Sequence, residues 1–233
     1  MRGISSMATR HVLGALLAEA AASGLPFVDV ESVGGVDAAA RVAAGEPFDL
    51  VFLASDALSG LGADGHVDAA TITPLVLSQV AVAVASGSAD PAAFPGGVAF
   101  YSADGVRDAL RAAGRIGYST GPSGTALVTM IDDWGLADEL GDRLVRARPG
   151  IPVAASLADG EVDLGFQQLS ELVGQPGVRI LGVLPEECAI DTVFAGAVAA
   201  ASASPARAAE VLAFLASEDV VPIKRSHAFG IPD

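Results

Sequence analysis

Residues 162–185 read VDLGFQQLSELVGQPGVRILGVLP, and two periodicities meet inside them. Val162 to Gln167 is predicted to be a strand, with Leu164 and Phe166 turned to a buried face and a pair of amides, Gln167 and Gln168, at its end. Leu169 to Val173 follows as a short helix, and Val178 to Leu184 as a second strand. A strand, a helix and a strand in succession mark a βαβ unit in a mostly parallel sheet. The chain then crosses through Leu184-Pro185 into another extended run, Thr192 to Ala200.

Upstream, the same alternation recurs. A short strand at 1–5 meets a helix whose apolar residues Val12, Leu13, Leu16 and Leu17 recur at helical spacing. Strands are predicted at Phe27–Ser32 and Asp49–Ala54, with a helix at 36–44 between them, and a Gly/Asp-rich loop at 60–69. Thr71–Ser86 is the longest strand-like stretch. A second block runs through a helix at Val106–Ala113, a strand at Arg115–Ser119, a helix from Gly121 to about Trp134 and another near 151–159. Pro205 opens a last helix to Ala216, and Pro222 and Pro232 in the tail discourage regular structure. Extended segments at 74–84 and 186–198 thus flank the second block. The expected organisation is two lobes, 1–75 with 196–233 and 82–186, joined by crossovers at 76–81 and 187–195, with a ligand cleft where the lobes meet.

Composition narrows the function. Of 233 residues 52% are hydrophobic and 18% charged, enough apolar material for a substantial core. Net charge is −15, with one lysine and twelve arginines scattered along the chain. A nucleic-acid binder needs a basic footprint, which this chain lacks. No apolar stretch is long enough to suggest membrane insertion. One cysteine, Cys188, permits no internal disulfide. The first residues carry no secretory signal pattern. The expectation is therefore a cytoplasmic protein if the chain is complete, and a periplasmic or extracellular one if a leader has been removed.

Four loops carry the candidate chemistry: Ser5-Ser6-Met7, Val33-Gly34-Gly35, Ser55-Asp56 and the run Ser119 to Gly124. Each hands a strand over to a helix through small, donor-rich residues, and in an open parallel sheet such ends line one crevice. Free N–H groups and the helix dipole favour an anion there, serine hydroxyls add donors, and glycine lets the backbone approach closely. Serine and glycine also cap helices in every protein, so the argument rests on all four loops falling at matching places. Gln167 offers a further uncharged donor. No hydrolase, Walker, dinucleotide or zinc-protease motif is present, and no ligand spacing suggests a metal or cofactor. His11 and Asp56 are the two candidates for a base.

The order of Gly34-Gly35, Asp49-Leu50-Val51, Ser78 to Ala83, Ser119 to Gly124, Gly165 to Leu172, Leu184-Pro185 and Ala213 to Ser217 resembles the molybdate-binding-protein-like branch of class II periplasmic binding proteins. The G-x-Q-Q-x-S-E-L stretch at 165–172 is the most specific element. The resemblance implies an α/β, two-lobed type II fold with mostly parallel sheets and two crossover strands, closing on a small anion. That anion would be an oxyanion such as molybdate or an organic carboxylate, delivered to an ABC-type membrane transporter by a monomeric receptor. It implies ligand contacts from Ser5, Ser6, Met7, Gly34, Gly35, Ser55, Ser78, Gln79, Gly121, Ser123, Gly124 and Gln167. The same branch resembles aconitate isomerase, which implies an alternative activity, isomerisation of an unsaturated carboxylic acid. Relatives often carry Arg-Ser-Gly where this chain has Leu77-Ser78-Gln79, a change that removes a bidentate partner for a carboxylate.

Overall fold

In strand Leu50–Ala54, Leu50 and Phe52 face one core and Val51 and Leu53 another, all four buried. A strand covered on both faces reads as a continuous apolar run, the mark of a sheet between two helical layers. The computed structural model describes residues 1–87, 97–148 and 151–232. In chain order these form β1 (Arg2–Ser6), α1 (Arg10–Ala22), β2 (Asp29–Val33), α2 (Gly35–Ala43), β3 (Leu50–Ala54), α3 (Ser55–Ala63) and β4 (Thr73–Ala85). Next come α4 (Ala103–Ala112), β5 (Ile116–Tyr118), α5 (Pro122–Asp133), α6 (Ala137–Leu140), β6 (Leu144–Arg146), α7 (Val153–Ala158), β7 (Leu164–Gln168) and α8 (Leu169–Leu172). β8 (Val178–Val183), β9 (Asp191–Val198), α9 (Pro205–Ala216) and α10 (Val221–Ser226) complete the fold.

By its contacts the chain divides into two units, Met1–Ser78 with Thr192–Asp233, and Gln79–Asp191. In the first unit the strand order is β2-β1-β3-β9-β4, with β1 parallel to β2 and β3, and β9 antiparallel to β3. One face buries Val12 and Leu16 of α1 and Leu212 and Leu215 of α9 against Leu50 and Phe52. The other buries Ala38 and Val42 of α2 and Leu58 and Leu61 of α3 against Ile4, Val51 and Leu53. Fully burying each such Leu, Val or Phe contributes roughly 1.5–3 kcal/mol.

In the second unit β4 pairs antiparallel with β7 and β8, and β5 runs parallel to β6 and β7. Val80, Val82, Leu164 and Phe166 pack against Leu110, Leu127 and Ile131, while Ala81 and Ala83 pack with Val153 and Leu157. Cys188 is a buried free cysteine at the edge of this core. Burial, reinforced by the neighbouring Glu187 carboxylate, pushes its thiol pKa up.

Two sequence readings are corrected. The Gly/Asp-rich loop expected at 60–69 begins later, because α3 continues to Ala63. Leu58 and Leu61 hold that helix to the sheet despite Gly60 and Gly62, so packing overrides low helix propensity. The tail is also not irregular. Pro222 sits in the first turn of α10, where a missing N–H costs nothing, and the helix buries Lys224. Burial lowers the Lys224 pKa, partly opposed by Glu218. Among the described residues no helix is long and apolar enough to cross a membrane.

Candidate functional site

In the first unit, parallel register sets Ser5 beside Ser32 and Phe52, and Ser6 beside Val33. The C-terminal ends of β1, β2 and β3 therefore lie together, each followed by a helix start. Ser5 is fully buried, and its Oγ stands 2.8 Å from the Ser32 Oγ. Ser6 Oγ accepts the Ala8 N–H at 3.4 Å, so it caps the turn that leads into α1. Met7 is 48% exposed. Gly35, the first residue of α2, lies against Ser6, since a Cβ there would meet the Ser6 Oγ at 3.6 Å. A Cβ on exposed Gly34 would lie 3.2 Å from an Asp37 carboxylate oxygen. The Asp37 carboxylate thus lies beside Gly34 at the start of its own helix.

Ser55 differs from these. It opens the nine-residue α3, and its Oγ is buried with no hydrogen-bond partner. Its carbonyl accepts the Ser59 hydroxyl at 2.9 Å, and Asp56 beside it is exposed. Ser78 is buried within β4. Gln79 follows it, and its amide donates to the Asp191 carboxylate at 3.4 Å.

In the second unit, Tyr118 of β5 lies between Phe166 of β7 and Arg146 of β6. The run Ser119 to Gly124 therefore emerges beside Gln167. Gly121 caps α5 and Pro122 opens it. Ser123 is buried, its Oγ 3.0 Å from the Ser119 Oγ. Gly124 accommodates no side chain, because a Cβ there would lie 1.9 Å from the Ser119 carbonyl oxygen. Gln167 is buried, and its Oε1 accepts the Val153 N–H at the start of α7 at 2.9 Å. Its side chain also bonds to Glu171, whose carboxyl burial holds above the usual range while that bond pulls it down.

Two polar groups near these strand ends, Ser170 and Ser32, were not among the expected contacts. Ser170 Oγ is buried and unpartnered just after Gln167 and Gln168, and its signal was its place inside the G-x-Q-Q-x-S-E-L stretch. Ser32 is visible only once register pairs it with Ser5. Arg146 is exposed and donates to the Thr120 carbonyl at 3.3 Å, with no carboxylate partner among the described residues. The described residues hold no cluster of three or more His, Cys, Asp or Glu suited to a metal ion. The strand ends thus offer hydroxyls and backbone N–H groups, which serve an anion.

A family model for bacterial extracellular solute-binding proteins matches residues 2–230. The chain is 34% identical to an aconitate isomerase from a Pseudomonas species over 179 residues, which is 77% of this chain and 66% of that one, so it spans just under two thirds of that relative. The periplasmic molybdate-binding protein of Azotobacter vinelandii superposes with a TM-score of 0.76 at 19% identity, covering 100% of both chains. L-phospholactate-bound PEB3 of Campylobacter jejuni gives a TM-score of 0.69 at 11% identity, covering 98% of both chains. The α/β fold is that of type II periplasmic binding proteins.

Proposed function

Because the chain belongs to the bacterial extracellular solute-binding protein family, we propose that it captures a small anion, an oxyanion or an organic carboxylate, and hands it to an ABC-type transporter. One observation carries this reading: the buried, unpartnered hydroxyl of Ser55 at the first turn of α3. An unsatisfied buried polar group costs roughly 1–3 kcal/mol, and it persists in a native protein where a ligand or water completes it. The N-terminus of a nine-residue helix supplies N–H groups and a positive dipole end to the same spot. With a net charge of −15, attraction to an anion arises from such local donors rather than from the protein's overall field. Ser6 and Gly35 belong to the same strand ends, and Gly121, Ser123 and Gly124 form the matching turn in the second unit.

Calorimetric titration of the full chain with molybdate, citrate and trans-aconitate tests the proposal. Ser55→Ala removes a hydrogen bond to a charged ligand worth about 1.5–3 kcal/mol, a loss of roughly 10- to 150-fold in affinity. The unliganded protein melts at or above the parent's temperature, since the hydroxyl has no partner to lose and its uncompensated burial is relieved. Unchanged affinity in the variant, or no binding of any anion by the parent, refutes the proposal.

The identity to an aconitate isomerase favours a second reading, proton transfer next to a carboxylate on the same scaffold. Asp56, exposed beside Ser55, is the base this reading would require. His11 is exposed on the first turn of α1. Proton NMR of cis-aconitate incubated with the protein in heavy water separates the readings. Turnover that Asp56→Asn abolishes identifies an enzyme, and an unchanged spectrum identifies a receptor.

A further inference from the structure

We propose that the groove between α1 and β2 is a second binding site, one that takes a carboxylate with an apolar tail. β2 is the terminal strand of its sheet, and a cavity of about 550 Å³ runs between it and α1. Small-molecule sites span roughly 300–1,000 Å³. Val28, Val30 and Ser32 alternate toward the helix, as strand geometry requires. From α1 the stripe at Arg10, Leu13, Gly14 and Leu17 faces them, at the i, i+3, i+4 spacing of one helix face. Gly14 hollows the helix side, since a Cβ there would meet nothing within 4 Å.

The two ends of the groove differ in chemistry. At one end stand Arg10 and Ser32. Arg10 is exposed and has no carboxylate partner among the described residues, although the chain carries 28 acidic residues against 13 basic ones. Ser32 shares a hydrogen with Ser5 across 2.8 Å. One hydroxyl of that pair donates to the other, which leaves one hydrogen to donate elsewhere. At the other end Phe27 is 72% exposed. Five residue steps separate Phe27 from Ser32, about 17 Å of extended chain. A cation and a hydroxyl at one end, aliphatic walls along the length and an uncovered ring at the other match a ligand with one terminal carboxylate and an extended apolar body. The Ser5–Ser32 pair also belongs to the strand ends described above, but the site does not use Ser55, so its test is separate from that of the proposed function.

Decanoate, decanol and acetate are titrated into the full chain by calorimetry, and light scattering gives its mass. Decanoate binds saturably at one site per chain, decanol about tenfold more weakly, and acetate not at all over the same range. Arg10→Gln, a surface change, reduces decanoate affinity to that of decanol and leaves decanol binding unchanged. Gly14→Leu fills the hollow and abolishes both, while melting stays at or above the parent's because leucine is the better helix former. Decanoate binding that survives Gly14→Leu overturns the proposal, as does decanol binding as tightly as decanoate. A parent dimer that Gly14→Leu converts to monomer assigns the groove to a second copy of the chain and overturns it as well. If Gly14→Leu fails to fold, the comparison of decanoate with decanol in Arg10→Gln decides alone.

Discussion

The side-chain oxygen of Gln167 accepts the backbone N–H of Val153 at 2.9 Å, so a residue at the end of β7 caps the helix that precedes it in sequence. The residue before that helix, Pro152, makes no side-chain cap of its own. Gln167 is thereby a structural donor and acceptor first. Gln167→Ala leaves a buried N–H unpaired at about 1–3 kcal/mol, and each kcal/mol lowers melting by roughly 2–4 °C in a chain of this size. Scanning fluorimetry should show that drop, with anion affinity changed far less. A collapse of affinity at unchanged melting would make the amide a ligand contact instead.

Gly124 fits under the Ser119 carbonyl only because it has no side chain. A Cβ 1.9 Å from that oxygen forces the start of α5 away from β5. Gly124→Ala is expected to cost at least the 1–3 kcal/mol typical of overpacking and to weaken anion binding at the same turn. Gly121→Ala, whose Cβ would meet nothing within 4 Å, serves as the control and should melt near the parent.

Glu171 makes stability depend on pH in a definite direction. Its carboxyl is raised, first by burial, with the bond from Gln167 opposing. Between the unfolded value of roughly 4.3 and the raised folded value, the native state keeps a proton that the unfolded chain releases. Stability from this group is therefore present below that window, falls as pH rises through it and stays low above it. Glu171→Gln should melt higher than the parent near neutrality and converge with it in acid. A gap that is independent of pH would rule out titration at this position.

Salt should do little to anion affinity, or raise it modestly. The repulsion from a chain of net charge −15 is screened once the Debye length falls below about 10 Å near 0.1 M salt. Short contacts from hydroxyls and N–H groups are screened far less. Titrations at two salt levels, with ions that do not themselves bind, check this. A steep loss would show that exposed arginines such as Arg146 reach the ligand.

The elements legible in the sequence were those whose packing repeats at the period of their own backbone. Val12, Leu13, Leu16 and Leu17 announced α1, and all four are buried. What escaped depended on distant partners. The last turn of α3 looked like a loop because Gly60 and Gly62 interrupt it, and only the sheet beneath Leu58 and Leu61 explains why the helix continues to Ala63. β6, three residues long, has no period to read. The site followed the same rule. Strand-end loops with serine and glycine were visible as loops, whereas the Ser5–Ser32 and Gln167–Val153 partnerships exist only through strand register and chain crossing.

The lone cysteine makes this protein carry its own clock. Cys188 is 8% exposed, and its thiol is held in the unreactive form by burial and by Glu187. A soluble thiol reagent needs both access and thiolate, so it reacts only in the moments when the turn at residues 186–190 comes away from the core. Labelling rate then counts those excursions directly. With no second thiol in the chain, every tagged molecule records the same local event, and a ligand that steadies this unit would announce itself as a slower clock.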